Sequence, residues 1–180
     1  MKNTAIANKY IARCHKTLMS WCAPLSDWHC VQIDDMAEVG WIAGNGMGHA
    51  TCELCGCEKV RFVHVMRHER YFEDINVGCV CAGVMEGDVL AARERERKMT
   101  NRAKRKRNYL KRRWESNYNG RHILRYKNQW VVIWLLHGQY GVICGNKSAS
   151  DYKGKRITNF LTAVHAAFDL VDPPVGGGRL

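Results

Sequence analysis

Cys52-Glu53-Leu54-Cys55-Gly56 and, with 23 residues between Cys55 and Cys79, Cys79-Val80-Cys81 are the two short runs around which the rest of this chain is organised. Two cysteines separated by two residues can wrap a tight knuckle that turns both sulfurs toward one ion, and Zn2+ prefers four soft or borderline ligands in a tetrahedron. Gly56 suits such a knuckle, because glycine accepts positive φ without steric cost. The expected ligand set is therefore Cys52, Cys55, Cys79 and Cys81, with Zn2+ as the cofactor. The Cys-x-Cys spacing is tighter than the usual two-residue gap, so one of its sulfurs can point away. Cys57, His49, His64 and His68 are then the alternatives for the fourth ligand. Four protein ligands leave no open position for water, which makes the expected site structural rather than catalytic. Such sites contribute about 10–16 kcal/mol at neutral pH, comparable with the stability of a whole small domain. Chelation is expected to unfold the middle of the chain.

The nine cysteines are an odd number. Near the start, Asn8, Lys9, Arg13, His15 and Lys16 interrupt the apolar residues before a signal-peptide core of the needed length develops. A cytoplasmic location with reduced thiols is the expectation, and close cysteine pairs then read as metal ligands rather than disulfides. Cys14, Cys22, Cys30 and Cys144 lie apart from the cluster and read as small buried apolar residues. The longest apolar stretch, residues 130–136, is far below the roughly 20 residues a membrane-spanning helix needs. With 46% hydrophobic residues and a mean hydropathy of -0.38, the 180 residues suit one modest core or two small ones.

Working outward from the cysteines, the pattern predicts an α+β fold. Residues 1–27 form an N-terminal segment in which Ile6, Tyr10, Cys14, Leu18 and Trp21 recur at helical spacing, with Pro24 as a stop. Residues 28–85 form the zinc-binding module. It opens with one or two short strands in residues 28–42 and a turn at Gly44, Gly46 and Gly48. It continues through the knuckle and a hairpin turning near Arg67 to Arg70. Knuckle, hairpin and helix start in that order make a treble-clef-like arrangement. Residues 86–116 form a long basic helix, taken as part of an uninterrupted run over 84–115. A small antiparallel sheet with strands at 122–126, 130–137 and 139–144 follows, within a domain at 117–174. Its C-terminal helix is capped by Thr158 and ended by Asp172-Pro173-Pro174. Residues 175–180, glycine-rich, read as a disordered tail.

The formal charge is +11, and residues 93–113 alone hold twelve basic side chains against two acidic ones, a net of +10. Such concentration points to a polyanionic partner, DNA or RNA. Arg102, Lys104, Arg105, Arg107, Arg112 and Arg113 are the expected phosphate contacts, with Tyr109 and Trp114 as rings able to stack on unpaired bases. No Gly-rich phosphate loop, Ser-His-Asp set or Cys-His nucleophile pattern is present. His64, His68 and Glu69 lack the further histidine and asparagine of an HNH-type nuclease. A non-enzymatic binding role is the expectation.

The runs CELCG, RFVHVMRH, INVGCVCAGVMEGD and RERERKMTNRAKRKRNYLKRRW, with NQWVVIWLLHGQYGVIC and ITNFLTAVHAAFDLV, resemble an uncharacterised group of bacterial, plasmid and phage proteins. The resemblance covers about residues 28–172. It implies a short zinc-ribbon-like or treble-clef segment followed by a basic helix, and then a small sheet-plus-helix ending. The alternative it leaves open is a phage or mobile-element interaction protein that binds an acidic surface on a host nucleoprotein (defence) machine and inhibits it.

Overall fold

The computed structural model describes residues 8–38 and 48–173. Gly44, Gly46, the end of the 28–42 strand segment and the expected tail at 175–180 lie outside them. The fold is mixed helix and antiparallel sheet, an α+β arrangement, and it divides into two compact units, Met1–Met99 and Thr100–Leu180.

In the first unit, helix α1 (Asn8–Ser20) buries Cys14 and Leu18, one turn apart on a single face. The chain leaves the helix where Cys22 adopts a left-handed φ of 54°, while the Ala23 N–H donates to the Leu18 carbonyl at 2.9 Å. Strands β1 (His29–Asp35), β2 (Phe62–Arg67) and β3 (Ile75–Val77) form one antiparallel sheet in that order, registered by Ile33 opposite His64 and His64 opposite Val77. The hairpin turn is longer than the pattern suggested. It runs over residues 68–74, because Arg67 and Asp74 close it with a two-pronged ion pair of 2.8 and 2.6 Å. Phe72, read as part of the second strand, is 83% exposed there. Helix α2 (Cys79–Glu86) follows β3 directly, and Leu18, Trp28, Met66, Val77 and Met85 fill the core between these elements.

The uninterrupted helix expected over 84–115 is broken in two. Gly87 takes a left-handed φ of 77° and caps α2, and Asp88 then accepts a hydrogen bond from the Ala91 N–H at 2.9 Å to start α3 (Val89–Leu110). Glycine alone pays no Cβ penalty in that conformation, so the sequence Gly87-Asp88 is a stop followed by a start. At its far end α3 gives way to a turn at Lys111, the Arg112 N–H donating to the Tyr109 carbonyl at 3.0 Å.

The second unit is built on a five-stranded antiparallel sheet of consecutive strands: β4 (Glu115–Ser116), β5 (His122–Tyr126), β6 (Gln129–Leu136), β7 (Gln139–Cys144) and β8 (Lys147–Ala149). A two-stranded ribbon, β9 (Asp151–Tyr152) with β10 (Lys155–Arg156), leads to helix α4 (Phe160–Val171). Asn159, not Thr158, is the N-cap, its side chain accepting from the Thr162 N–H at 2.8 Å. One face of the sheet carries Leu124, Val131, Ile133 and Val142 into a core with Ala163, Ala167 and Phe168 of α4. Tyr109 enters the same core with no exposure, its ring 4.9 Å from Tyr126 and 5.3 Å from Phe168.

Candidate metal centre

The knuckle is held by its own backbone. The Cys52 N–H donates to the Cys57 carbonyl and the Gly56 N–H to the Cys52 carbonyl, each at 2.8 Å, and Gly56 sits at a φ of 73°. The Gly78 N–H, at the mouth of α2, donates to the Cys52 sulfur at 3.4 Å. These constraints bring the sulfurs of Cys52, Cys55 and Cys81 within 4.8 Å of one another, close enough for one metal ion to bind all three. Cys52 and Cys81 are each 1% exposed.

The electrostatics suit ligands. The thiol of Cys81 and the backbone N–H groups of Gly78 and Cys55 all favour a negative sulfur on Cys52, and together they overcome the opposing effect of burial to bring its pKa down. Cys81, sharing a proton with Cys52 and buried, is held up correspondingly. The surroundings thus favour a thiolate on Cys52, and a thiolate is the form that binds metal.

Cys79 stands apart. It is 6% exposed but outside the three-sulfur group, and burial together with the neighbouring Glu96 pushes its pKa up to about 12. In a Cys-x-Cys pair at a helix start the two side chains diverge by about 100° per residue, so one can face the knuckle while the other faces α3. Of the alternatives, His64 is fully buried with Nδ1 3.3 Å from the Phe62 carbonyl, His68 accepts from the Arg70 N–H, and Cys57 is exposed. None joins the group.

Side chains of α1 approach the group from the Cys81 side. The Tyr10 hydroxyl lies 3.0 Å from the Cys81 sulfur, and Cys14, one helical turn on and 1% exposed, is influenced by the same three cysteines without joining their group. Both were missed as site residues. Their four-residue spacing is also that of an ordinary amphipathic helix, so only the knuckle beneath them distinguishes the two roles.

The expected phosphate contacts separate into two classes. Arg102 is 5% exposed and donates to Asp169 at 2.5 Å and to the Asp172 carbonyl at 2.9 Å. Arg105 forms a two-pronged pair with Asp172 at 2.5 and 3.1 Å. Lys106 is buried against the same Asp169, which also accepts from the Tyr152 hydroxyl at 2.8 Å. These cations hold the second unit together. Lys104, Arg107 and Arg113 are exposed and carry no ion pair among the described residues, and Arg112 lies over the Tyr126 ring at 5.0 Å. Tyr109 is core, and Trp114 packs edge-on against it, so neither ring presents a free face in the way expected.

No helix of the described residues is long and apolar enough to cross a membrane. Comparison with protein-family models, with curated proteins and with solved structures finds no match.

Proposed function

We propose that this chain is a zinc-stabilised, non-enzymatic nucleic-acid-binding protein, with a treble-clef-like module in the first unit and the polyanion-binding surface on the second. The observation that carries this reading is the way charge divides. The second unit holds 16 of the 28 basic residues and only four of the 17 acidic ones, a net of +12, whereas the first unit nets -1. Two of those four acids, Asp169 and Asp172, are already engaged by Arg102, Lys106, Arg105 and Lys127. The remaining surface is overwhelmingly positive. Clustered cations of this kind neutralise phosphates and release counterions, giving affinity without base choice. Lys104, Arg107, Lys111 and Arg113 are the contacts on and just beyond α3.

In the metal module, Cys52, Cys55 and Cys81 supply three thiolates to Zn2+, Cys14 shifts in from α1 on metal binding to complete the tetrahedron, and the Tyr10 O–H donates to the Cys81 sulfur. Four soft ligands match zinc, and a donor to a ligating sulfur is the usual outer-shell support. The metal's role here is to hold α1, the knuckle and α2 together.

The test is a salt titration of binding to duplex and single-stranded oligonucleotides. The affinity falls linearly on a log-log plot, by about 0.9 per phosphate contacted on duplex. The combined variant Lys104→Glu, Arg107→Glu, Lys111→Glu, Arg113→Glu loses binding while keeping its zinc. Salt-independent binding, or a charge-reversed protein that binds like the parent, refutes the reading. A protein that survives nuclease treatment bound to the chain would favour an acidic protein partner instead.

A further inference from the structure

The five-stranded sheet has a second face, opposite α4. Alternation along the strands and the pairing register place Ile123 and Arg125 of β5, Trp130, Val132 and Trp134 of β6, and Ile143 of β7 together on it. Ile123 faces Val132, which faces Ile143, and Arg125 faces Trp130. None of these six belongs to the core beneath, and Trp130 and Ile143 are 59% and 41% exposed. A surface this rich in tryptophan calls for an occupant.

Its construction says which one. Gly141 lies opposite Trp134, and a Cβ built on it would fall 2.2 Å from the indole ring. Only a bare backbone lets that ring lie down flat on the sheet rather than stand away from it. Trp130, four residues along the same strand and so about 13 Å away, has the Arg125 guanidinium 5.9 Å from its ring centroid. The face therefore presents two indoles, with a cation over one of them. The only acidic side chain aligned with it among the described residues is Glu115 on the edge strand, opposite Ile123. A neutral or basic protein partner on this face gains nothing from a unit carrying +12, whereas a chain of phosphates is attracted by it and brings flat bases to the indoles.

We propose that this face stacks the unpaired bases of a single-stranded nucleic acid, with Trp130 and Trp134 as platforms and Arg125, beside Trp130, on a backbone phosphate. The proposal rests on the nucleic-acid-binding reading above and narrows it from polyanion to unpaired strand. Bases within a duplex are already stacked on one another and offer no ring face to an indole. Trp130 and Trp134 take the role expected of Tyr109 and Trp114, which the core has claimed.

The experiment uses the full chain, an oligothymidylate and an oligouridylate of about 12 nucleotides, and a duplex of the same length. Adding either single strand quenches tryptophan emission. Trp130→Ala weakens single-strand binding roughly 5- to 150-fold, the range for losing one stacked base, and leaves the salt slope and duplex affinity unchanged. Trp130→Phe restores most of the loss, which separates stacking from a folding defect, and Arg125→Ala lowers the single-strand salt slope by about 0.7. If Trp130→Ala and Trp130→Phe both bind single strands like the parent while the four-fold charge reversal still abolishes binding, the stacking face is wrong and the basic surface stands. If the parent binds no nucleic acid, both fall. If the parent sediments as a dimer that Trp130→Ala dissociates, the face belongs to a second copy of the chain and the proposal is overturned.

Discussion

Asp169 should be the most sensitive single residue of the second unit. Its carboxylate receives Arg102 at 2.5 Å, Lys106 at 3.1 Å and the Tyr152 hydroxyl at 2.8 Å, and the side chains of Asp169, Arg102 and Lys106 are only 6%, 6% and 5% exposed. Asp169→Ala removes the carboxylate that two buried cations share. Breaking a buried pair in this way destabilises by about 3–5 kcal/mol. The unit spans 81 residues, for which a total stability of about 4–12 kcal/mol is ordinary. The variant therefore loses between a quarter and all of its margin. Urea unfolding followed by tryptophan emission measures this. With a denaturant slope of about 1–3 kcal/mol per molar, the midpoint of the second unit should fall by roughly 1–5 M. Arg105→Ala is the control, because that arginine is 43% exposed and its pair is worth at most about 1 kcal/mol. Substituting all three buried groups together, Arg102→Met, Lys106→Met and Asp169→Leu, should recover most of the loss, since apolar replacements leave no orphaned charge. An Asp169→Ala midpoint no lower than that of Arg105→Ala would refute the assignment of this carboxylate as the hub.

The remaining expectations concern the first unit. Removing metal with a chelator should abolish the cooperative melting of that unit, as a structural zinc contributes about 10–16 kcal/mol at neutral pH; differential scanning calorimetry before and after chelation checks it. Cobalt substitution should give a four-thiolate spectrum that loses one sulfur contribution in Cys14→Ser and is unchanged in Cys79→Ser; the opposite pattern would return Cys79 to the ligand set. Burial, helped by Arg95, holds the fully buried His64 below the ordinary histidine pKa of about 6.5. The unfolded chain therefore takes up a proton there that the folded chain resists. The resulting stability is present above about pH 6.5 and is lost as pH falls through the lower folded-state value, so unfolding midpoints measured from pH 7.5 down to 5 should drop, and His64→Phe should flatten the drop.

Much of the fold was legible because it was encoded locally. The knuckle at Cys52 and Cys55 needs only Cys-x-x-Cys-Gly, and the strands at 122–126 and 139–144 are bounded by turn residues that leave little choice. The parts that were not legible depend on distant segments. Cys14 and Tyr10 look like any helical stripe until the knuckle is set against them. Arg102 and Arg105 look like a solvated basic face until Asp169 and Asp172, more than sixty positions later, are found beside them. The break at Gly87 was visible in principle, since Gly followed by Asp is both a helix stop and a cap, but an isolated glycine in a charged run does not by itself outweigh the helical period. The strand at 129–136 is apolar on both sides, so its alternation could not say which face met the core.

The three clustered sulfurs come from points 29 residues apart along the chain, Cys52 to Cys81, and Cys14 lies 38 residues before the first of them. An ion joining them fastens two large loops, and loop closure is felt in the disordered chain as much as in the native one. By the chain-entropy argument a single tie of this span removes about 3–4 kcal/mol of freedom from the unfolded ensemble. With zinc bound as proposed, the centre would work as a cross-link that, unlike a disulfide, forms and releases with the concentration of free metal.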